Sequence, residues 1–257
     1  MNHTYKTLYN TALGAWVAVP ETARNHGKAP RSYRHVPAGG LTFARTALAS
    51  VLLLAGGQAW AASVDSGTGT NSIVVKGNTA TTTANGQDAT AIGTGAKADN
   101  QSSFAAGTNA KATNNNAVSI GTNSTASGPT STAVGQGTVA SHQSATALGD
   151  GAKAINDQAT AIGVGAQASQ GGALAVGMTS AASAWNSAAF GSNASATGST
   201  SLAMGYQAAA SNSNSLAVGS AANARKLNGI AIGKNAQAGT SGTVTTTDAD
   251  AIAIGSD

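Results

Sequence analysis

Asp157-Gln158-Ala159-Thr160-Ala161-Ile162-Gly163-Val164-Gly165-Ala166-Gln167-Ala168-Ser169-Gln170 is one copy of a fourteen-residue unit that repeats in register along most of the chain. With Gly163 as anchor, glycine recurs at Gly93, Gly107, Gly121, Gly135, Gly149, Gly177, Gly191, Gly205, Gly219 and Gly233. A twelfth anchor, Gly255, follows after 22 residues, so the last interval carries an eight-residue insertion near 239–250. Self-similarity at a fixed period marks a solenoid or array.

The residue before each anchor is apolar, and two positions earlier the row mixes Phe104, Val118, Leu174, Leu202, Leu216, Ile230 and Ile252 with threonine and alanine. Apolar residues two apart, with a small residue between them, have the period of a strand with one buried face. Five residues after the anchor every complete copy has alanine, from Ala98 to Ala238, and three after it Ala, Ser or Thr. This reads as a second short strand where space allows little more than a methyl group. Gly, Asn and Ser clusters turn the chain between the two strands, and the anchor glycines suit a backbone needing positive φ or close approach to a neighbour. Such coils stack in parallel, and at roughly 4.8 Å per strand twelve would build a rod about 55 Å long. Helix is disfavoured, because runs rich in Gly, Asn, Ser and Thr have poor helix propensity.

The net charge of +4 is uneven. Residues 1–61 hold six of the thirteen basic groups and one acid, Glu21, whereas the remainder holds seven basic groups and eight acids. The basic character therefore belongs to the leader, which argues against a nucleic-acid partner. That leader has the layout of an export signal: basic residues up to Arg45, an apolar run from Thr46 to Gly57, then Ala59-Trp60-Ala61. The run is too short to span a bilayer, and the small-x-small pattern predicts cleavage between Ala61 and Ala62. Residues 62–86 read as a flexible N-terminal segment or a degenerate cap, and 87–257 as the repeats.

Upstream of the signal, Met1-Asn2, Tyr5, Asn10 and the run from Leu13 to Arg24, ending in Gly27-Lys28, resemble the extended signal peptide region of type V secretion proteins. Together with the repeats, the chain resembles a trimeric autotransporter adhesin with a YadA-like head. The resemblance implies an all-β fold, a left-handed parallel β-roll solenoid, and a homotrimer. A thin coil buries little apolar surface against the backbone entropy it loses, so a second buried face against partner chains is physically reasonable. On this basis Ile92, Ile120, Val134, Leu148, Ile162, Val176, Phe190, Met204, Val218, Ile232 and Ile254 are expected to fill the roll interior. Part of the alanine-rich row is expected near the threefold contact.

Local patterns suggest no catalytic chemistry. Gly93-Thr94-Gly95-Ala96-Lys97 and Gly149-Asp150-Gly151-Ala152-Lys153 lack the spacing and following helix of a phosphate loop. Recurrent aspartates for a calcium nonapeptide array are missing, and the chain has no cysteine. His142 is the only histidine after the signal, so neither a zinc cluster nor a Cys/His nucleophile is expected, and no cofactor. Phe104 and Phe190 fall in the row read as inward. Trp185, Tyr206, Arg225 and Lys226 are the candidates for ligand contact.

The expected function is a non-catalytic adhesin head binding host extracellular matrix proteins or cell surfaces, or mediating autoaggregation; the alternative is a secreted structural or ice-binding β-solenoid. Export is expected through the signal. The resembling proteins continue into a neck, a coiled-coil stalk and a β-barrel anchor, whereas these residues show neither heptads nor barrel strands. Placement at the bacterial surface and outer membrane is thus expected only if the chain is joined to an anchor, and secretion otherwise.

Overall fold

The computed structural model describes residues 5–10, 15–20, 63–76, 81–239 and 250–255. Near the N-terminus, β1 (Tyr5–Asn10) and β2 (Ala15–Pro20) pair antiparallel, Tyr5 opposite Pro20 and Asn10 opposite Ala15. This hairpin belongs to one compact unit and the repeats to another. The signal cleavage position, Ala61 and Ala62, and most of the insertion, 240–249, lie outside the described residues.

Each fourteen-residue unit forms one coil of a parallel β-solenoid. Its first strand has three residues, as in Thr160–Ile162, and its second has two, as in Gln167–Ala168. Every strand pairs in parallel with its counterpart one coil away, Ala161 with Ala147 and Ala175, and Ala168 with Ala154 and Ala182. The first strands build one sheet and the second strands another, back to back. The pairing of Ile230 with Ile252 keeps the register across the 22-residue interval. At the other end, β3 (Ser63–Ser66) runs antiparallel to β4 (Ile73–Lys76), which pairs in parallel with the strand Thr90–Ile92. The Lys76 ammonium meets Asp65 at 3.2 Å across that terminal hairpin.

The interior is only one side chain thick. Four residues per coil point inward: those four and two before the anchor, and those three and five after it. In the coil around Gly163 these are Ala159, Ala161, Ala166 and Ala168, all fully buried. The largest fully buried side chain anywhere in the described rod is Thr138. Where serine replaces alanine, its hydroxyl stays within the same coil: Ser131 and Ser201 donate to the carbonyls of Gly128 and Gly198, and Ser119 and Ser124 meet across the interior at 2.7 Å. These buried serine hydroxyls are thereby satisfied locally.

This overturns the expected facing of the apolar row. Ile92, Ile120, Ile162, Met204, Ile232 and Ile254 are exposed on the single chain, and Val134, Leu148, Val176, Phe190 and Val218 are half-buried; none fills the interior. Phe104 is also half-buried on the outer side. The small residue between each apolar pair points inward instead. Two sheets close enough for Ser119 to reach Ser124 leave no room for an isoleucine, so the larger side chains must take the opposite face of the strand. The alanines from Ala98 to Ala238 likewise line the interior rather than an outer contact.

Two four-residue turns close each coil, and both need a left-handed residue. In one coil the amide of Ala159 donates to the Asn156 carbonyl, and the amide of Ala166 to the Gly163 carbonyl, each at 3.2 Å. Gln158 and Gly165, the third residues of these turns, have φ of 58° and 66°. Positive φ thus recurs every seven residues, and Asn, Gly, Asp, Ser and Thr dominate there; asparagine, aspartate and glycine tolerate this conformation best. The anchor glycines are a different case: Gly163 has φ of 128°, and a Cβ there would lie 2.5 Å from the Gly177 carbonyl oxygen. Only glycine fits such a column.

Candidate interaction surface

Because the interior takes only small side chains, the chemistry of the chain is displayed on its outside. The outer face of the first sheet carries two residues per coil: Thr160 and Ile162, Leu174 and Val176, Ala188 and Phe190, Leu202 and Met204, Leu216 and Val218 in succession. From Thr90 to Ile254 no described residue of these columns is charged. Partial exposure, 37% for Ile162 and 43% for Met204, recurs along the face. The column next to the anchors is apolar throughout, and an exposed apolar strip of this kind is a candidate association surface.

The outer face of the second sheet is mostly polar, interrupted by Val139, Ala181 and Ala209. Its column four residues after the anchor reads Lys97, Lys111, Thr125, Val139, Lys153, Gln167, Ala181, Ser195, Ala209, Asn223 and Gln237. The turns at the edges carry side-chain ladders. Thr200 donates to Asn214, Asn214 to Asn228 at 3.1 Å, and Asn228 to Asp250 at 2.9 Å. Thr179 donates to Asn193 at 2.6 Å on the opposite edge.

The four candidate contact residues do not converge. Trp185 is 57% exposed, and its ring lies over Gly171 of the preceding coil, where a Cβ would come within 2.2 Å of the ring. Tyr206 is 54% exposed, but it sits in the turn after its first strand while Trp185 sits in the turn before, on the other edge. The Arg225 guanidinium donates to the Gln237 side-chain oxygen at 3.0 Å. Lys226 is buried, its stem against Gly239. The Arg225-Lys226 pair is therefore not an open basic patch. His142 is exposed, its Nδ1 3.0 Å from the Ser141 hydroxyl. Among the described residues no three His, Cys, Asp or Glu side chains group to hold a metal.

Sequence reasoning missed one neighbour relation. Lys97 and Lys111 are far apart in the chain but adjacent on the second sheet. The signal was present, since both stand four residues after an anchor in consecutive copies.

A parallel β-solenoid of fourteen-residue coils, small inside and apolar along one outer sheet, defines a repetitive association scaffold. Comparison with known families places it more narrowly. The YadA head domain repeat, taken two copies at a time, matches residues 84–110, 98–124, 126–152, 154–180, 182–208, 196–222 and 210–236. The extended signal peptide of the type V secretion system matches residues 1–50. The chain belongs to the YadA head-repeat family, and the two matches together make it the passenger region of an exported trimeric autotransporter adhesin. Among curated proteins no sequence match is found. Among solved structures it is similar to the collagen-binding domain of the Yersinia adhesin YadA, with 23% identity over 67% of this chain and 69% of that one and a TM-score of 0.24.

Proposed function

We propose that three copies associate through the outward apolar faces of their first sheets to form a non-catalytic head at the bacterial surface. That head attaches the cell to host extracellular matrix or host cells, or to like heads. The uncharged apolar face running from Thr90 to Ile254 carries the reading. An interior of alanine buries little surface per coil, so covering the isoleucine, valine, leucine and phenylalanine columns supplies stabilisation that the single chain lacks. Threefold packing would place the second sheets and the polar turn ladders outward, where partners meet them. Ice binding, in contrast, needs a flat outward threonine row; Thr132, Thr146 and Thr160 begin one on the first sheet, but Leu174 ends it.

The test combines solution mass by light scattering with binding of the same sample to immobilised collagen, fibronectin, laminin and cultured cells. A β-rich trimer that binds at least one surface, or itself at higher concentration, is the expected result. A β-rich monomer that retains full thermal stability would overturn the assembly.

A further inference from the structure

The second sheet carries an arrangement that the fold itself does not require. Lys97 and Lys111 are ladder partners on consecutive coils, which sets their backbones about 4.8 Å apart. Both are exposed, and neither forms an ion pair among the described residues. Like charges on neighbouring strands repel, and the same position holds Thr83, Thr125 and Gln167 in other coils, so stacking alone does not call for lysine. Beside them opens a concavity of about 380 Å³, walled by Gly95, Asn109, Asn123 and Thr125. Gly95 contributes no side chain at the turn, whereas Asn109 and Asn123 stack there, the Asn109 amide donating to Asn123 at 3.3 Å. No acid lines the concavity. Asp99, two residues from Lys97, accepts a hydrogen bond from the Asn85 amide at 2.9 Å.

We propose that this groove binds an acidic polysaccharide, with sulfate or carboxylate groups on Lys97 and Lys111 and hydroxyls on Asn109, Asn123 and Thr125. Charge complementarity selects an anion, and the backbone selects the class. An acidic peptide cannot add as a strand here, because the amides of Lys97 and Lys111 already donate to Ala110 and Ser124 of the next coil. The groove also offers no aromatic or aliphatic pocket for side chains. A sugar chain lying along the rod would instead meet Lys97, Lys111 and Thr125 on successive coils, then pass Val139. Lys153 stands in the same column three coils beyond Lys111, about 14 Å further on, within reach of an extended chain. The site belongs to a single chain and does not depend on the trimer; three copies would add avidity.

Binding of immobilised full chain to heparin, hyaluronan, neutral dextran and polyglutamate, each across a salt series, tests the proposal. Wild type and variants share the basic leader, so the ratio between them is the readout. Lys97→Gln/Lys111→Gln is expected to weaken heparin or hyaluronan binding about tenfold and to flatten its salt dependence. Lys97→Arg/Lys111→Arg is expected to retain binding, and Lys153→Gln to cause a smaller loss. Circular dichroism verifies each fold, and Lys97→Thr/Lys111→Thr supplies a second neutral pair already accommodated at this position. Equal binding by wild type and both neutral pairs, no binding to either acidic polysaccharide, or polyglutamate binding as tight as heparin would each overturn it.

Discussion

The two outer faces of the solenoid are built by one chain at one pitch, yet their chemistry is opposite. The first sheet shows columns without a charge, and the second shows lysine, threonine, glutamine and asparagine. Behind both lies the same alanine interior, fully buried at Ala161 and at Ala168. The interior fixes the coil and leaves the outward residues free of it. Under the proposed assembly, their difference reports what each face meets: other copies on one side, solvent and ligands on the other.

The hardest way to break this contrast is to destroy what both faces share. Ala161→Leu forces a branched side chain into an interior whose largest fully buried occupant is Thr138; such overpacking should cost about 3 kcal/mol, and the β-rich circular dichroism should be lost at a markedly lower temperature. Gly163→Ala attacks the turn column instead. With φ of 128° and a Cβ 2.5 Å from a carbonyl oxygen, it should cost about 2 to 3 kcal/mol, read by the same thermal melt.

Ile162→Asp separates the faces. Its side chain is already 37% exposed on one chain, so each coil should keep its fold, while a carboxylate buried against partner chains should cost several kcal/mol of association. Loss of the trimer mass with β structure retained is the expected outcome, whereas an unfolded chain would restore the inward facing of this row. Asn214→Ala cuts the ladder between Thr200 and Asn228 and places alanine at φ of 56°. A loss of about 1 kcal/mol is expected in denaturant unfolding. Gln167→Asp, on the polar face, should change stability by less than about 0.5 kcal/mol and leave the mass unaltered.

The repeat, its two short strands and their parallel stacking are legible in the anchor glycines and the period-two rows. The facing of the first strand is not, because alternation distinguishes two faces without saying which is inside. Invariably small residues from Ala98 to Ala238 already implied a narrow interior. The same reasoning extends to Ala91, Ala105, Ala133 and Ala147 on the first strand, all fully buried; hydrophobicity favoured the isoleucines, but available volume decided. The seven-residue recurrence of positive φ was obscured because Asn, Ser, Thr, Gln, Ala and Gly all fill it. The Lys97–Lys111 pair emerges only when residues fourteen apart are treated as neighbours.

Light scattering on the folded chain, for wild type and Ile162→Asp side by side, tests the central claim most directly. The account predicts three times the 24.7 kDa of one chain for wild type and a smaller, still β-rich species for the variant. A wild-type chain that is monomeric and stable, or a variant that keeps the full trimer mass, would contradict an assembly through the apolar face.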